Sequence, residues 1–275
     1  MISIVTTCKN RLSHLQQSLP SLLQQSLTEV IVVDYGCEQG TADWVKKTYP
    51  AVKILEINDD PTFCVARARN LGAKRANNPI LAFVDADIIV NSDLASWIRH
   101  PPTEPLYYAN LPGTWECGGF IVCRADSFNE IGGFDEAFRG WGHEDTDFIE
   151  RLGMAGYRRV DIPSNFFTVI HHSNNMRQVG AGTGGFQTLL QAYYLGEFYR
   201  RIKTDMVNLT GHPIPLPTRT DLMRAIKSEF ERACQAENTE LVLSVAIEQT
   251  TFANHVIETE SELIYRLKID HLRSG

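Results

Sequence analysis

The chain has 275 residues, 43% of them hydrophobic, and a formal net charge of -7 at pH 7. This length can bury a substantial core in one domain, or in one domain with an appendage. The negative charge argues against nucleic acid or an anionic membrane surface as the main partner. The six cysteines lack the paired spacing of metal sites, which indicates free thiols in a reducing compartment.

Strand and helix patterns alternate through the first part of the chain. Short apolar runs predict buried strands over 2–6, 30–33, 52–57 and 80–84. Helical patterns lie between them over 12–23, 41–49 and 65–76, and Pro20 is expected to kink the first of these helices. Continuous apolar strands alternating with helices indicate an α/β fold with a mainly parallel sheet, flanked by helices on both faces.

One edge of this sheet is predicted to carry polar side chains. Ligands of such sheets bind beyond the carboxyl ends of the strands, where Thr7, Asp34 and the Asp85-Ala86-Asp87 run would meet. Two carboxylates at that spacing suit a hard divalent cation that holds phosphate oxygens. An exposed aspartate-rich turn is the alternative interpretation. Neither a Gly-x-Gly-x-x-Gly pattern after the first strand nor a Gly-Lys-Ser/Thr loop is present, so the dinucleotide-binding and P-loop classes lose their main support.

A second candidate site begins at Gly140-Trp141-Gly142 and continues into Glu144 and Asp145, ahead of an apolar helical pattern. Flanking glycines give the indole backbone freedom, and carboxylates are favoured at a helix N-terminus. The pattern predicts a movable aromatic platform that presents a substrate to a fixed base. A glycine-rich turn before an acidic helix N-terminus is the alternative.

Two adjacent histidines, His171 and His172, follow an apolar run over 166–170. Neutral imidazole is a frequent metal ligand, and a strand would support it rigidly. A hydrogen-bonded core histidine is the alternative interpretation for either residue.

Several motifs, in order along the chain, resemble those of known glycosyltransferases. The acceptor side is similar to β-1,4-galactosyltransferases and bacterial chondroitin-polymerase-like enzymes, through Trp115-Glu116-Cys117-Gly118-Gly119-Phe120, Ile131-Gly132-Gly133-Phe134 and Gly140-Trp141-Gly142-His143-Glu144-Asp145. The donor side resembles family 2-type inverting glycosyltransferases, through Thr7-Cys8-Lys9-Asn10-Arg11, Val32-Val33-Asp34, Phe63-Cys64-Val65-Ala66-Arg67-Ala68-Arg69-Asn70-Leu71-Gly72 and Asp85-Ala86-Asp87. The resemblance extends to about residue 172 and implies a GT-A-like, Rossmann-like fold with a mixed, mainly parallel sheet.

On the donor side, the resemblance implies a site for a nucleotide sugar, with uridine diphosphate (UDP) as the expected nucleotide. Thr7, Cys8 and Arg11 would cradle the uridine diphosphate, and Asp34 would contact the uracil. Arg67 and Asn70 match the helix that closes over the nucleotide. Asp85 and Ala86 would meet the ribose or sugar side. Asp87 would bind Mn²⁺ or Mg²⁺ bridging the two phosphates, with His172 as the second metal ligand and His171 as the fallback.

On the acceptor side, the resemblance implies a glycan or glycolipid acceptor. Gly118 and Gly119 would let the backbone pass close to the donor. Trp141 would stack on the acceptor, Glu144 would hold a hydroxyl group, and Asp145 would be the catalytic base. A single displacement assisted by one base inverts the anomeric centre.

Four positions depart from the family pattern, two of them Lys9 and Val65, where arginines are expected. His143 replaces a glycine of the family's Gly-Gly-Glu-Asp motif, and we expect its side chain to be exposed, with an added polar contact as the alternative. Val169 stands where galactosyltransferases place a methionine ahead of the metal-binding histidine, so a soft sulfur ligand is lost. The predicted function is a metal-dependent inverting glycosyltransferase of bacterial polysaccharide synthesis.

Three other functions fit the sequence less well. A non-catalytic nucleotide-sugar or carbohydrate-binding protein on the same fold is the main alternative. A sugar nucleotidyltransferase would carry a glycine-rich basic loop after its first strand, which residues 7–11 do not supply. A two-carboxylate glycosidase needs neither a metal nor a nucleotide site.

The last part of the chain is predicted to be a helical C-terminal extension, 185–275, after a catalytic domain, 1–184. A glycine-rich joint over 180–185 would be followed by helices over 186–203, 221–237 and 240–272. We expect the extension to pack on the core, with a homodimer or a membrane-associated partner as the second possibility. The protein is expected to be cytoplasmic, because it lacks a basic leader and a bilayer-length apolar run, with attachment to the inner face of the membrane through this tail as an option.

Overall fold

The computed structural model describes residues 1–91, 94–98, 105–109, 119–140, 142–171, 188–251, 257–269 and 272. The strands in these ranges are β1 (Ile2–Cys8), β2 (Thr28–Asp34), β3 (Lys53–Glu56), β4 (Ile80–Phe83), β5 (Ile88–Val90), β6 (Leu106–Ala109), β7 (Ile121–Arg124), β8 (Arg158–Asp161), β9 (Phe167–Val169), β10 (Glu240–Thr251) and β11 (Ile257–Lys268). The helices are α1 (Leu12–Leu23), α2 (Thr41–Thr48), α3 (Val65–Lys74), α4 (Leu94–Ile98), α5 (Ala125–Glu130), α6 (Glu144–Met154), α7 (Leu189–Thr210) and α8 (Leu216–Gln235).

A central sheet of seven strands organises the molecule, in the order β3-β2-β1-β4-β7-β6-β8. The pairs β1–β2, β2–β3, β1–β4 and β6–β8 are parallel, whereas β7 runs antiparallel to both β4 and β6. The sheet is therefore mixed and mainly parallel, as the sequence predicted. Two separate buried apolar clusters include side chains from alternate positions of its strands, which agrees with the expectation that both faces are covered.

The apolar runs of the sequence form the inner strands of the sheet because their side chains are buried there, as predicted. Every residue of β1 is buried, as is β2 from Val30 onwards. Helix α1 continues through Pro20. Helix α3 lies directly on the sheet, because a side chain at Gly72 would place its Cβ 2.3 Å from Val5 Cγ1. This close packing fixes the height of α3 above the sheet, and with it the positions of the basic residues that α3 carries.

A small antiparallel ribbon extends the candidate donor edge of the sheet. Strand β5, which follows Asp87, pairs with β9 so that Ile88 lies opposite Val169. The backbone N–H of Ile170 donates a 2.7 Å hydrogen bond to the carbonyl of Asp87. The ribbon therefore brings the start of the two-histidine motif next to the aspartate run.

The C-terminal part differs from its predicted secondary structure in one element. Two helices form as expected, α7 and α8, but the predicted helix over 240–272 is instead the antiparallel hairpin β10–β11. In the first half of β10, burial alternates with a period of two: Leu241 and Leu243 are buried, whereas Val242 is exposed. A period of two is the signature of a strand with one covered face. The prediction of a helix over 240–272 was therefore wrong.

The inner face of the hairpin packs on the two C-terminal helices in a third apolar cluster. This cluster also takes in Ala137 and Phe138 from the segment that precedes Glu144, so the helices and hairpin pack against the core. Within the described ranges, no helix is both long enough and apolar enough to cross a membrane.

Candidate active site

The carboxyl ends of β1 and β2 lie together at one edge of the sheet, as predicted from the sequence. Thr7 pairs with Val33 and Cys8 with Asp34 across the two strands. The Cys8 thiol is fully buried, 3.6 Å from both the Cys37 thiol and the Thr41 hydroxyl, so Cys8 could reach a ligand through its backbone alone. Asp34, at the end of β2, is also buried.

Both carboxylate oxygens of Asp34 accept backbone N–H bonds. Cys37 N donates to Oδ1 at 2.7 Å and Ala42 N donates to Oδ2 at 2.9 Å. Asp34 therefore stabilises the start of helix α2 and the loop before it. Any contact between Asp34 and a nucleotide base would have to use the remaining lone pairs of the same oxygens.

The Asp85-Ala86-Asp87 run follows β4 with its carboxylates directed to two different arginines. Arg11 donates a 2.8 Å hydrogen bond to Asp87 Oδ2, and Arg69 donates a 2.8 Å hydrogen bond to Asp85 Oδ1. Ala86 contributes no exposed side chain, because it is buried in the apolar core. Each aspartate of the run is therefore held in an ion pair with an arginine.

Arg69 lies within the donor-side motif but was not predicted as a site residue, and it is the central residue of the site. Its side chain is 2% exposed and pairs with Glu144 Oε1 at 3.1 Å as well as with Asp85. The guanidinium also lies 5.0 Å from the ring centroid of Phe134. Burial by itself would lower the pKa of Arg69, but the carboxylates of Asp85 and Glu144 outweigh it and raise that pKa.

A sequence signal could have identified Arg69. On helix α3, Ala66, Arg69 and Gly72 recur at a spacing of three and share one face. Ala66 and Gly72 are small residues suited to close packing, and both are buried. An arginine on a buried face has to be paired, so the pattern predicts a carboxylate partner.

Glu144 is the most perturbed carboxylic acid in the candidate site among the described residues. Its burial, reinforced by the charge of the adjacent Asp145, raises its pKa to about 7, although the positive charge of Arg69 opposes the shift. Asp145 is half-buried in the first turn of α6 and accepts a 2.7 Å hydrogen bond from Thr146 N. The two neighbouring carboxyl groups therefore differ in environment, which is a common arrangement at sites of acid–base chemistry.

Gly119 lies against the donor-side carboxylate. A Cβ atom built at Gly119 would be 1.9 Å from Asp85 Oδ2, so only glycine fits. This close approach agrees with the expected role of a residue that lets the backbone pass beside the donor. Gly119 precedes β7 at the middle of the sheet, so the sheet itself sets the contact.

Asn70 and Arg67, on helix α3, are occupied by contacts within the protein. Asn70 donates to the Phe134 carbonyl at 2.9 Å and accepts from Phe134 N at 2.8 Å, which clamps α3 to the segment before the acceptor motif. Arg67 pairs with Asp59 at 2.8 Å and with Asp60 at 3.3 Å. Both residues lie beside the candidate site, and Asn70 acts there by holding its two halves together.

His143 is buried, in contrast to the expected exposure. Its residue is 7% exposed because helix α7 covers the ring, with the Tyr193 ring centroid 4.6 Å away. Burial lowers the pKa of His143, which favours neutral imidazole at neutral pH. Its backbone has a left-handed φ of 70°, a conformation that the family's glycine adopts more easily.

Three predicted site residues lie outside the described residues: Gly118, Trp141 and His172. The glycine-rich joint over 180–185 lies outside them as well. Within the described ranges, no three histidine, cysteine, aspartate or glutamate side chains come close enough to hold a metal ion. Asp87 could still contribute carboxylate oxygens to such a site, and its carbonyl accepts a hydrogen bond from Ile170 N, directly before His171.

Two family models match consecutive parts of the chain. Residues 3–99 match the glycosyl transferase family 2 model, and residues 103–174 match the model described as the N-terminal domain of galactosyltransferase. The boundary between the matches falls between the donor-side and acceptor-side motifs. Arg69, in the first match, therefore meets Glu144, in the second.

Curated relatives share part of their length with this chain. Validoxylamine A glucosyltransferase of Streptomyces hygroscopicus subsp. jinggangensis is 26% identical over 219 residues, covering 57% of this chain and 52% of the relative. Beta-1,4-galactosyltransferase 5 of Mus musculus is 33% identical over 117 residues, covering 39% of this chain and 30% of the relative. The chain thus spans about half the length of the first relative and 30% of the length of the second.

Two solved structures share the fold of this chain. S. aureus TarS 1-349 in complex with UDP-GlcNAc has a TM-score of 0.57 and 15% identity, covering 82% of this chain and 71% of that one. The mannosyltransferase PcManGT from Pyrobaculum calidifontis, in complex with GDP-Man and Mn2+, has a TM-score of 0.54 and 15% identity, covering 84% and 75%. At this identity the likeness establishes the fold alone, which is GT-A-like.

Proposed function

Because the chain is related to family 2 glycosyltransferases and galactosyltransferases, we propose that it transfers a sugar from a UDP sugar to a hydroxyl group of a glycan or glycolipid acceptor. Transfer inverts the anomeric centre and serves bacterial polysaccharide synthesis. The observation that carries this proposal is the convergence of Asp85 and Glu144 on the buried Arg69. A donor-side and an acceptor-side carboxylate held by one cation support a single reaction centre.

In the proposed donor half, the diphosphate lies along Thr7, Cys8 and Arg11, the uracil near Asp34, and the sugar near Asp85 and Gly119. Asp87, with His172 or His171, would hold a Mn²⁺ or Mg²⁺ ion, which would supply Lewis-acid stabilisation of the departing diphosphate. Arg11 pairs with Asp87. From this position, its guanidinium would also donate hydrogen bonds to the phosphate oxygens of the donor.

In the proposed acceptor half, Trp141 stacks on the acceptor sugar and Glu144 holds a hydroxyl group. Asp145 removes the proton of the attacking hydroxyl while the new bond to the anomeric carbon forms and the bond to the diphosphate oxygen breaks. A positioned general base of this kind contributes about 10²- to 10⁴-fold in rate. Residues 1–184 form the catalytic domain in this proposal, and 185–275 form the C-terminal extension.

The test is sugar transfer with Mn²⁺ from a panel of UDP and GDP sugars, for wild type and Asp145→Asn. The matched control is Asp126→Asn at the start of α5, where an exposed carboxylate pairs with Arg124. The proposal expects transfer by wild type and the control, and donor binding without transfer by Asp145→Asn. Donor binding without transfer in all three proteins would support a non-catalytic binding protein instead. Equal turnover in all three would refute the role of Asp145.

A further inference from the structure

One ammonium group pairs with two carboxylates, one before and one after Glu144 and Asp145 in the chain. Lys203 Nζ, on helix α7, is 2.8 Å from Asp135 Oδ2 and also contacts Asp147 Oδ1 in the first turn of α6. None of these three side chains is more than 5% exposed. Asp135 precedes Glu144 and Asp145 in the chain and Asp147 follows them. One cation therefore ties the segment before Glu144 to the first turn of α6, which carries Glu144 and the candidate base Asp145.

Asp135 is anchored by both C-terminal helices. It accepts a 2.7 Å hydrogen bond from Tyr199 on α7, and it pairs with Arg219 on α8 at 2.7 Å. Burial alone would raise the pKa of Asp135, but the positive charges of Lys203 and Arg219 outweigh it and lower that pKa to about 2. An ionised, fully buried carboxylate is stable only beside such cations. Asp135 therefore joins the C-terminal helices to the core through specific ion pairs, in addition to the apolar contacts of the third cluster.

Helix α7 also holds the residue directly before Glu144. His143 Nδ1 lies 3.4 Å from Glu197 Oε2, and its ring packs on Tyr193. Gly196 makes room for the ring, since a Cβ there would lie 3.1 Å from His143 Cδ2. The same face of α7 therefore contacts the N-terminal end of α6 both before and after the candidate base.

We infer that Lys203 is a positioning residue of the proposed reaction, which sets the orientation of Asp145 through its contacts with Asp147 and Asp135. This inference rests on the proposed function and extends it: the C-terminal helices are part of the scaffold of the active site. Lys203 is enclosed by carboxylates and by the rings of Phe138 and Tyr199, whose centroids lie 5.6 and 5.5 Å from Nζ. Its effect on the reaction is therefore indirect.

The experiment compares Lys203→Met with Arg201→Met, a control on the same helix whose exposed side chain pairs with Asp205. Donor-binding sites are counted by UDP titration, and kcat is expressed per donor-binding site. A base displaced by about 1 Å costs about 100-fold in rate, so kcat per site should fall by about that factor in Lys203→Met, with the donor Kd unchanged. Arg201→Met should keep both values.

A purely structural role for Lys203 would give a different result. Loss of stability alone reduces the number of donor-binding sites but leaves kcat per site at the wild-type value, and that outcome would overturn the inference. The double variant Lys203→Met, Asp147→Asn also removes the buried negative charge of Asp147, which in the single variant keeps Arg151 as its cation, while Asp135 keeps Arg219. The double variant is expected to fold and bind UDP with the same low kcat per site. A wild-type kcat per site in it would equally overturn the inference.

Failure of the proposed function and failure of the Lys203 role give different results. Wild-type protein that binds UDP and transfers sugar to no acceptor would refute the proposed function, and the role of Lys203 with it. Wild-type protein that transfers sugar, beside a Lys203→Met variant that transfers equally well per site, would refute the role of Lys203 alone.

Discussion

The guanidinium of Arg69 lies 3.1 Å from the carboxylate of Glu144, and both side chains are buried. Arg69 stands on helix α3 within the family 2 match, whereas Glu144 begins helix α6 within the galactosyltransferase match. Solvent screens such a pair far less than a surface pair. The ion pair therefore fixes how the donor and acceptor halves of the site lie against each other.

Replacing Arg69 tests the importance of this ion pair for folding. In Arg69→Met, Glu144 and Asp85 lose their shared cation, and breaking a buried pair from one side typically costs about 3–5 kcal/mol. We expect the free energy of unfolding, measured by urea titration, to fall by about that amount. The control Arg124→Met removes an exposed partner of Asp126 and should change stability by less than about 1 kcal/mol. Equal losses in both variants would contradict the central position of Arg69.

The raised pKa of Glu144 predicts a pH dependence of stability. Between its ordinary value of 4.5 and about 7, the folded protein keeps a proton that the unfolded chain has lost. Stability contributed by this group is therefore complete at low pH and decreases as the pH rises through that window, by at most about 3 kcal/mol. Unfolding of wild type and Glu144→Gln should be compared from acid to neutral pH. The difference between the two proteins should change in this direction, and a flat difference would refute the raised pKa.

Gly119 predicts a steric effect confined to the donor side. In Gly119→Ala the new methyl group would clash with Asp85, because its Cβ would lie 1.9 Å from Asp85 Oδ2. Binding of UDP sugars, measured by calorimetry, should weaken by about tenfold or more, since a displaced ion pair is worth at least about 1.4 kcal/mol. Gly153→Ala in helix α6 is the control, because a Cβ there meets nothing within 4 Å. That change should leave binding intact and stabilise the helix by about 0.5–1 kcal/mol.

Asp87 predicts a coupling between cation and donor. Asp87→Asn should abolish the increase in UDP affinity that Mn²⁺ produces in wild type, because the amide is a much poorer ligand for a hard cation than a carboxylate. The measurement is a UDP titration with and without Mn²⁺, with Asp126→Asn as the control at an exposed carboxylate. Unchanged Mn²⁺ enhancement in Asp87→Asn would remove Asp87 from the cation site. If Asp87→Asn also loses UDP binding in the absence of Mn²⁺, the role of Asp87 is to hold Arg11 in place for the diphosphate.

The central sheet could be predicted from the sequence because its signals are local. Short, mostly apolar runs such as those in β1 and β2 have few alternatives to a buried parallel strand. Because ligands bind beyond the carboxyl ends of such strands, Thr7 and Asp87 are then expected on one edge of the sheet. The hairpin β10–β11 was wrongly predicted as a helix from the composition of residues 240–272, which does not reveal an alternation of period two. The alternation becomes plain at Leu241, Val242 and Leu243, where burial follows it.

The electrostatic core of the site depends on contacts between distant parts of the chain. The partners of Lys203 are Asp135 and Asp147, and no local pattern relates a lysine in a helix to carboxylates so far upstream. The same holds for His143, whose burial depends on Gly196. Arg69 is intermediate, because its position on a buried helix face predicts a partner without saying which carboxylate it is.

The stereochemistry of transfer tests the central claim most directly. Wild type and Asp145→Asn would each be incubated with an α-linked UDP sugar, Mn²⁺ and an acceptor, and the anomeric proton of the product followed by NMR. We predict a β-glycoside from wild type and no glycoside from Asp145→Asn. An α-glycoside from wild type, or equal product from both proteins, would contradict the proposed mechanism.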